Sequence, residues 1–226
     1  MQPSYTIKTD MDLYITSYCL VRDNRVVVND RLVFYQENIL KFADFIKAVY
    51  QQGQINYPKF YKMDAISKLG FVAAELVLKE TSTEGLDSGA IGVVLSNASS
   101  SLVTDIAHNE TIKDRNGYFP SPSVFVYTLP NIVIGEICIK NHFKGENVFL
   151  ISESFNARLL HDYVGELFEN GRVDACLCGW TELNGDIFNA MTVWVTRAGF
   201  TNSEAGQSYR PLLFSAENMN VIMSHN

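Results

Sequence analysis

Apolar residues recur along this chain with two alternating periods. Between Glu37 and Gln52 they stand at positions 39, 40, 42, 43, 45, 46 and 49, the spacing of an amphipathic helix, and Gly53 follows as its stop. Asp64 to Lys79 (DAISKLGFVAAELVLK) predicts a second helix, with Asp64 placed to cap it. The segment NIVIGEICIKNH is helix-like, and from Ser154 to Glu169 positions 155, 159, 160, 163, 164, 167 and 168 line one apolar face, with Gly171 placed as C-cap. Short apolar runs bounded by turn residues read as strands over 12–21, 90–96, 147–152, 173–180 and 190–198. The runs 90–96 and 147–152 are continuously apolar and predict fully buried strands. Arg25 to Phe34 reads as a hairpin-like pair turning at Asn29-Asp30.

Strands that alternate with helices define an α/β domain with a mixed or largely parallel sheet. The last two strands are joined by TELNGDIFN, too short for a crossover helix, so they are expected to be antiparallel. A polar serine cluster, Asn97 to Ser101, follows the 90–96 run, and the tail after Gly199 is polar and ends in the apolar piece PLLF. The sequence contains no tandem repeat, low-complexity block or linker, so 1–226 is expected to form one domain.

Composition narrows the function. The net charge of −7 argues against a nucleic-acid partner, which requires a Lys/Arg surface. The N-terminus lacks a basic region and its apolar stretch is broken by Asp10 and Asp12, so no signal peptide is expected. No apolar run approaches the ~20 residues that span a bilayer, and the expected location is the cytoplasm, with no membrane partner. Cys19, Cys138, Cys176 and Cys178 fit free thiols there. Cys176 and Cys178 lie two apart on a strand and share one face, without two further ligands nearby, so they are expected to pack in the core; no metal and no cofactor are expected.

The familiar chemical motifs are missing: there is no Walker loop, no G-x-G-x-x-G after a strand, no H-E-x-x-H and no G-x-S-x-G. His161 stands seven residues beyond Ser154, about two helical turns, too far for a direct hydrogen bond. His142 sits among lysines, and His108 and His225 have no recognisable context. Ser154 is the residue of interest, because it marks the corner where a strand turns into a helix. A hydroxyl there is a helix cap, a nucleophile favoured by the helix dipole, or a ligand contact. The aromatic group Tyr118, Phe119, Phe125 and Tyr127 is expected to supply core or dimer contacts.

Five stretches in order resemble the N-terminal half of β-ketoacyl-acyl-carrier-protein synthases, condensing enzymes of the thiolase-like fold. KMDAISKLGFVAAELVL is similar to that family's R-M-D helix, and SGAIGVVLSNASSSLVTD to its G-V-x-x-G strand and turn. SPSVFVYTLPNIVIGEICIKNHFKG is similar to its proline-rich P-N-x-x-x-G segment. GENVFLISESFNA stands where the family has G-P-x-x-x-x-x-T-A-C, and GRVDACLCGWTE where it has G-x-x-D-x-x-x-x-G-G-x-E. The match spans about residues 12–198.

The resemblance implies a five-stranded mixed sheet with helices on its faces. It also implies a role in fatty-acid or polyketide chain building, with an acyl carrier protein nearby. Two departures stand out. Ser154 takes the place of the family's nucleophilic Cys, and a hydroxyl needs an adjacent base where a thiol does not. Only 28 residues follow position 198, so no counterpart of the family's C-terminal half, which supplies two catalytic histidines, is expected. The chain is therefore expected to lack condensing activity alone and to form a homodimer or a heterodimer with a complete ketosynthase. An acyl-thioester transferase or hydrolase using Ser154 or a partner's histidines, and a binding module on the same fold, stay open. A half-sized scaffold is further expected to expose a large apolar face and not to be a monomer.

Overall fold

The computed structural model describes residues 12–38, 41–114, 116, 119–198 and 209–225. Strand β1 (Leu13–Arg22) begins an antiparallel meander with β2 (Arg25–Val28) and β3 (Arg31–Tyr35). Both connections are two-residue turns with positive φ, Asp23-Asn24 at 50° and 55° and Asn29-Asp30 at 50° and 63°. Asn and Asp tolerate that conformation, and its twist matches the strands. Helix α1 (Phe42–Gln52) follows, beginning later than its apolar pattern, of which residues 39 and 40 lie outside the described residues. Gly53 ends it in a right-handed conformation with φ −65°, and the left-handed residue is Gln54.

A 3₁₀ turn (Pro58–Lys62) leads to α2 (Ala65–Leu78), capped by Asp64, whose carboxylate accepts from Ser67 N at 3.0 Å as the sequence predicts. Next come β4 (Ile91–Asn97), α3 (Leu102–Ile112), α4 (Pro122–Phe125) and α5 (Ile132–Asn141). Then follow β5 (Asn147–Ile151), α6 (Ala157–Glu169), β6 (Ala175–Asn184), β7 (Ile187–Arg197), β8 (Leu212–Leu213) and α7 (Ala216–Ser224).

One mixed sheet runs β3-β2-β1-β7-β6-β4-β5, with β8 added to β1. The expected α/β class holds, but the sheet has eight strands rather than five, because the β2–β3 hairpin and β8 extend the five-stranded core β1-β7-β6-β4-β5. Strands β5, β4 and β6 are parallel, and β6 and β7 are antiparallel as their short connection requires. That connection is shorter than its sequence suggests. Most of TELNGDIFN continues the two strands, and the turn reduces to Gly185-Asp186, with Gly185 at φ +62°. Asp186 then accepts from Phe42 N at 3.1 Å and so serves the start of α1.

Helices cover both faces of the sheet. Alternate residues of the central strands point to opposite sides, so Ala175 and Leu177 join the core beneath α1, α2 and α5. Cys176 and Cys178 join the core beneath α6 and α7, as expected. Strand β5 corrects the expectation of a second fully buried strand. It is the sheet's edge, with Asn147 and Ile151 exposed, whereas all seven residues of β4 are buried.

One face of the sheet is covered by α6 and α7. Met219 and Ile222 of α7 and Phe214 before it are buried with Leu160, Val164 and Phe168 of α6. Seven of the fifteen exposed large apolar side chains among the described residues lie between 102 and 129, on the α3–α4 excursion. Only Thr104 of α3 is buried, while Leu102, Val103 and Ile106 are exposed with Phe125, Val126 and Leu129 beyond it. Phe119 (84% exposed) and Phe125 (58%) are thus not core residues, Tyr127 packs against the core, and Tyr118 lies outside the described residues. Among the described residues no single helix is long and apolar enough to cross a bilayer.

Candidate functional site

The carboxyl ends of β4, β5 and β6 meet at one edge of the sheet, where open α/β sheets commonly carry their sites. Strand β4 leads into the serine turn 98–101 and β5 into the corner 152–156. Ser152 N donates to Asn97 O at 2.9 Å and ties the two together. Ser100 holds φ +52°, and Asn97 fixes it from both sides, accepting from Ser100 N at 3.0 Å and donating to Ser100 O at 2.8 Å. Glu182 of β6 reaches over the turn, accepting from Ala98 N at 2.7 Å, Ser99 N at 3.1 Å and the Ser99 hydroxyl at 2.5 Å. Its charge satisfies the amides left by the end of β4.

Ser154 lies on the strand-to-helix corner, as the sequence predicts, but it does not cap α6. Asn156 does: its side chain accepts from Leu159 N at 3.0 Å, and α6 begins at Ala157. The chain needs three more residues to turn from β5 into the helix, so the N-terminus falls beyond Ser154. Ser154 is exposed, its carbonyl accepts from Ser152 Oγ at 2.8 Å, and its own hydroxyl makes no hydrogen bond among the described residues. The amide of Leu159, one of those that would otherwise face a developing anion, is already occupied.

Among the described residues no base hydrogen-bonds the Ser154 hydroxyl. His161 Nδ1 lies 3.0 Å from Asp162 Oδ1, with its ring 5.4 Å from that of Phe214. Asp162 is held below the usual carboxylate range by the Arg158 hydrogen bond first and His161 second. Arg158 spends its charge on that carboxylate at 2.7 Å, so the nearest cation along the helix is taken. His108 is in ring contact with Phe125 at 5.3 Å, and His225 lies 4.0 Å from Asp30. No group of three or more metal-ligating side chains occurs among the described residues.

The residues that carry the resemblance have structural reasons to be where they are. A Cβ at Gly145 would lie 2.4 Å from Ile91 O, and one at Gly179 would lie 2.0 Å from Met191 O, so both positions exclude a side chain. Asp64 caps α2 and also accepts from Thr104 Oγ1 at 2.6 Å, tying α3 to it. Asp174 binds Arg197 at 2.6 Å. Sequence reading missed the work of Glu182 and Asn97 at the serine turn, although Glu182 closes the quoted GRVDACLCGWTE stretch.

This arrangement is the ketosynthase-like thiolase fold. The sequence matches no protein-family model and no curated protein, but solved structures share its fold. It is similar to the ishigamide ketosynthase/chain length factor, with a TM-score of 0.64 and 16% identity, over 84% of this chain and 63% of that one. A type II polyketide synthase acyl-carrier protein in complex with its ketosynthase gives 0.57 and 15%, over 84% and 64%. A ketosynthase in complex with its chain length factor from Xenorhabdus doucetiae gives 0.54 and 12%, over 84% and 80%. The chain thus spans under two thirds of the length of the first two.

Proposed function

We propose that this chain, folded as one domain, is a ketosynthase-like subunit of acyl-chain building that pairs with a complete ketosynthase and does not condense acyl units by itself. The observation that carries the reading is the corner at Ser154: the scaffold keeps the strand-to-helix turn, but its hydroxyl is exposed and makes no hydrogen bond among the described residues. A neutral hydroxyl is a poor nucleophile without an adjacent base.

Two surfaces support a partner. Edge strand β5 (NVFLI) has no charge, proline or bulge to block pairing, and edge strands without such protection recruit another strand. The apolar α3–α4 excursion is the second, since contiguous exposed apolar surface marks interaction sites. The solved structures described as ketosynthases with chain length factors are consistent with a paired subunit. Co-expression with a complete ketosynthase from the same genome, followed by affinity capture and light scattering, tests the reading. A stoichiometric complex is expected, and recovery of this chain only as a monomer, alone and co-expressed, contradicts it.

A further inference from the structure

Helices α6 and α7 cover one side of the sheet, but the β2–β3 hairpin gives their core only Val27, half-buried. Past the end of α7 the hairpin therefore overhangs a cavity of about 330 Å³. Leu20 and Val27, paired across β1 and β2, form its apolar floor. Residues directly opposite on neighbouring strands point to the same side, so Arg22, Arg25 and Tyr35 form the next row. His225, after the last turn of α7, closes the other side. Neither the corner 152–156 nor the serine turn 98–101 lines this cavity.

The two arginines are held differently. Arg22 is committed to the chain: its guanidinium donates to Met223 O at 2.8 Å and to the His225 carbonyl, pinning the end of α7 against the sheet. Arg25 is exposed and makes no ion pair among the described residues. Its guanidinium lies over the Tyr35 ring, 5.2 Å from the centre, so one face rests on the ring and the N–H edge stays open. An arginine held in this way suits a carboxylate, which takes two parallel hydrogen bonds from the fork. Two carboxylates also line the cavity: Asp23 is 84% exposed and 3.8 Å from Arg22, and Glu37 is exposed beyond β3. Two arginines against two carboxylates leave the lining balanced. That balance disfavours a dianion such as phosphate and matches a single negative charge on Arg25.

We propose that the cavity between the β2–β3 hairpin and the end of α7 binds a small monocarboxylic acid with an apolar body. The carboxylate forks onto Arg25, and the body lies on Leu20 and Val27 between Tyr35 and His225. Small-molecule sites combine an apolar lining with a few polar groups that fix orientation, in volumes of about 300–1,000 Å³. This cavity is at the lower end of that range, so the acid is short. Binding here requires neither a ketosynthase nor Ser154, and it stands apart from the pairing proposed above.

Titration of the isotope-labelled chain with phenylacetate, and separately with hexanoate, followed by amide NMR shifts, tests the site. Saturable shifts are expected at residues 20–27 and 35–37 and at His225. Phenylacetamide, the same body without the charge, is expected to bind at least about tenfold more weakly, the usual worth of hydrogen bonds to a charged group. Arg25→Gln is expected to weaken phenylacetate binding by a similar factor, with melting temperatures checked in parallel. Lys144→Gln, which removes a positive charge before β5 at the other end of the strands, is expected to leave binding within twofold. The comparison of acid with amide needs no variant. No binding of either acid, equal affinity for acid and amide, equal losses from the two variants, or shifts centred on 98–101 or 152–156 overturns the proposal. Pairing with a ketosynthase is read separately by light scattering, so a failed cavity leaves that reading intact, and the converse holds.

Discussion

Asn156 and Ser154 stand two residues apart on one corner, and only Asn156 supports the helix that follows. Asn156→Ala is expected to lower stability by about 1 kcal/mol, the usual cost of a lost N-cap, while Ser154→Ala changes it by less than about 0.5 kcal/mol, as for a surface site without partners. Urea titrations of the two variants check this, and the reverse ranking would return the capping role to Ser154. Gly179→Ala is expected to be far more costly, about 3 kcal/mol or more, because its Cβ would meet a strand carbonyl at 2.0 Å. Burial raises the thiols of Cys19, Cys176 and Cys178, and that of Cys138 to about 11. A free thiol titrates near pH 8.5. Stability from these groups is therefore complete below that value, and it is lost as pH rises through the range where the unfolded thiols ionise and the folded ones do not. Unfolding curves between pH 7 and 10.5 are expected to be flat at first and to fall above about pH 8.5.

At the scale of elements, α6 draws its stability from one buried stripe. Leu160→Ala is expected to cost about 2–5 kcal/mol as a core truncation, measured by thermal and urea unfolding. Helices α2, α5 and α6 were legible because their apolar positions repeat at the helical period, and β4 because its run is apolar throughout. Helix α3 was not, because only Thr104 of its eleven residues is buried, which leaves no apolar stripe to recognise. Helix α7 escaped because nine residues bury only Met219 and Ile222. The corner at β5 was legible to within a turn, but the position of the cap depends on how many residues the chain spends in turning, which periodicity does not encode. The work of Glu182 was hidden for another reason: its partners Ala98 and Ser99 lie more than eighty positions away in sequence.

For the whole molecule, helices cover both sides of the sheet, and the α3–α4 excursion carries the densest run of exposed apolar residues, from Leu102 to Leu129. Ile106→Ser, at a side chain 56% exposed, is expected to leave the unfolding midpoint unchanged. Gel filtration with light scattering is expected to show that it weakens association with a ketosynthase, and unchanged association would remove α3 from the interface. The central claim is that this scaffold holds the corner of a condensing enzyme without its covalent chemistry. Intact-protein mass spectrometry after incubation with an acyl-loaded carrier protein, confirmed by peptide mapping of 145–158, tests it most directly. The account predicts an unchanged mass for this chain, alone or beside a ketosynthase. An acyl group esterified to Ser154 would contradict it.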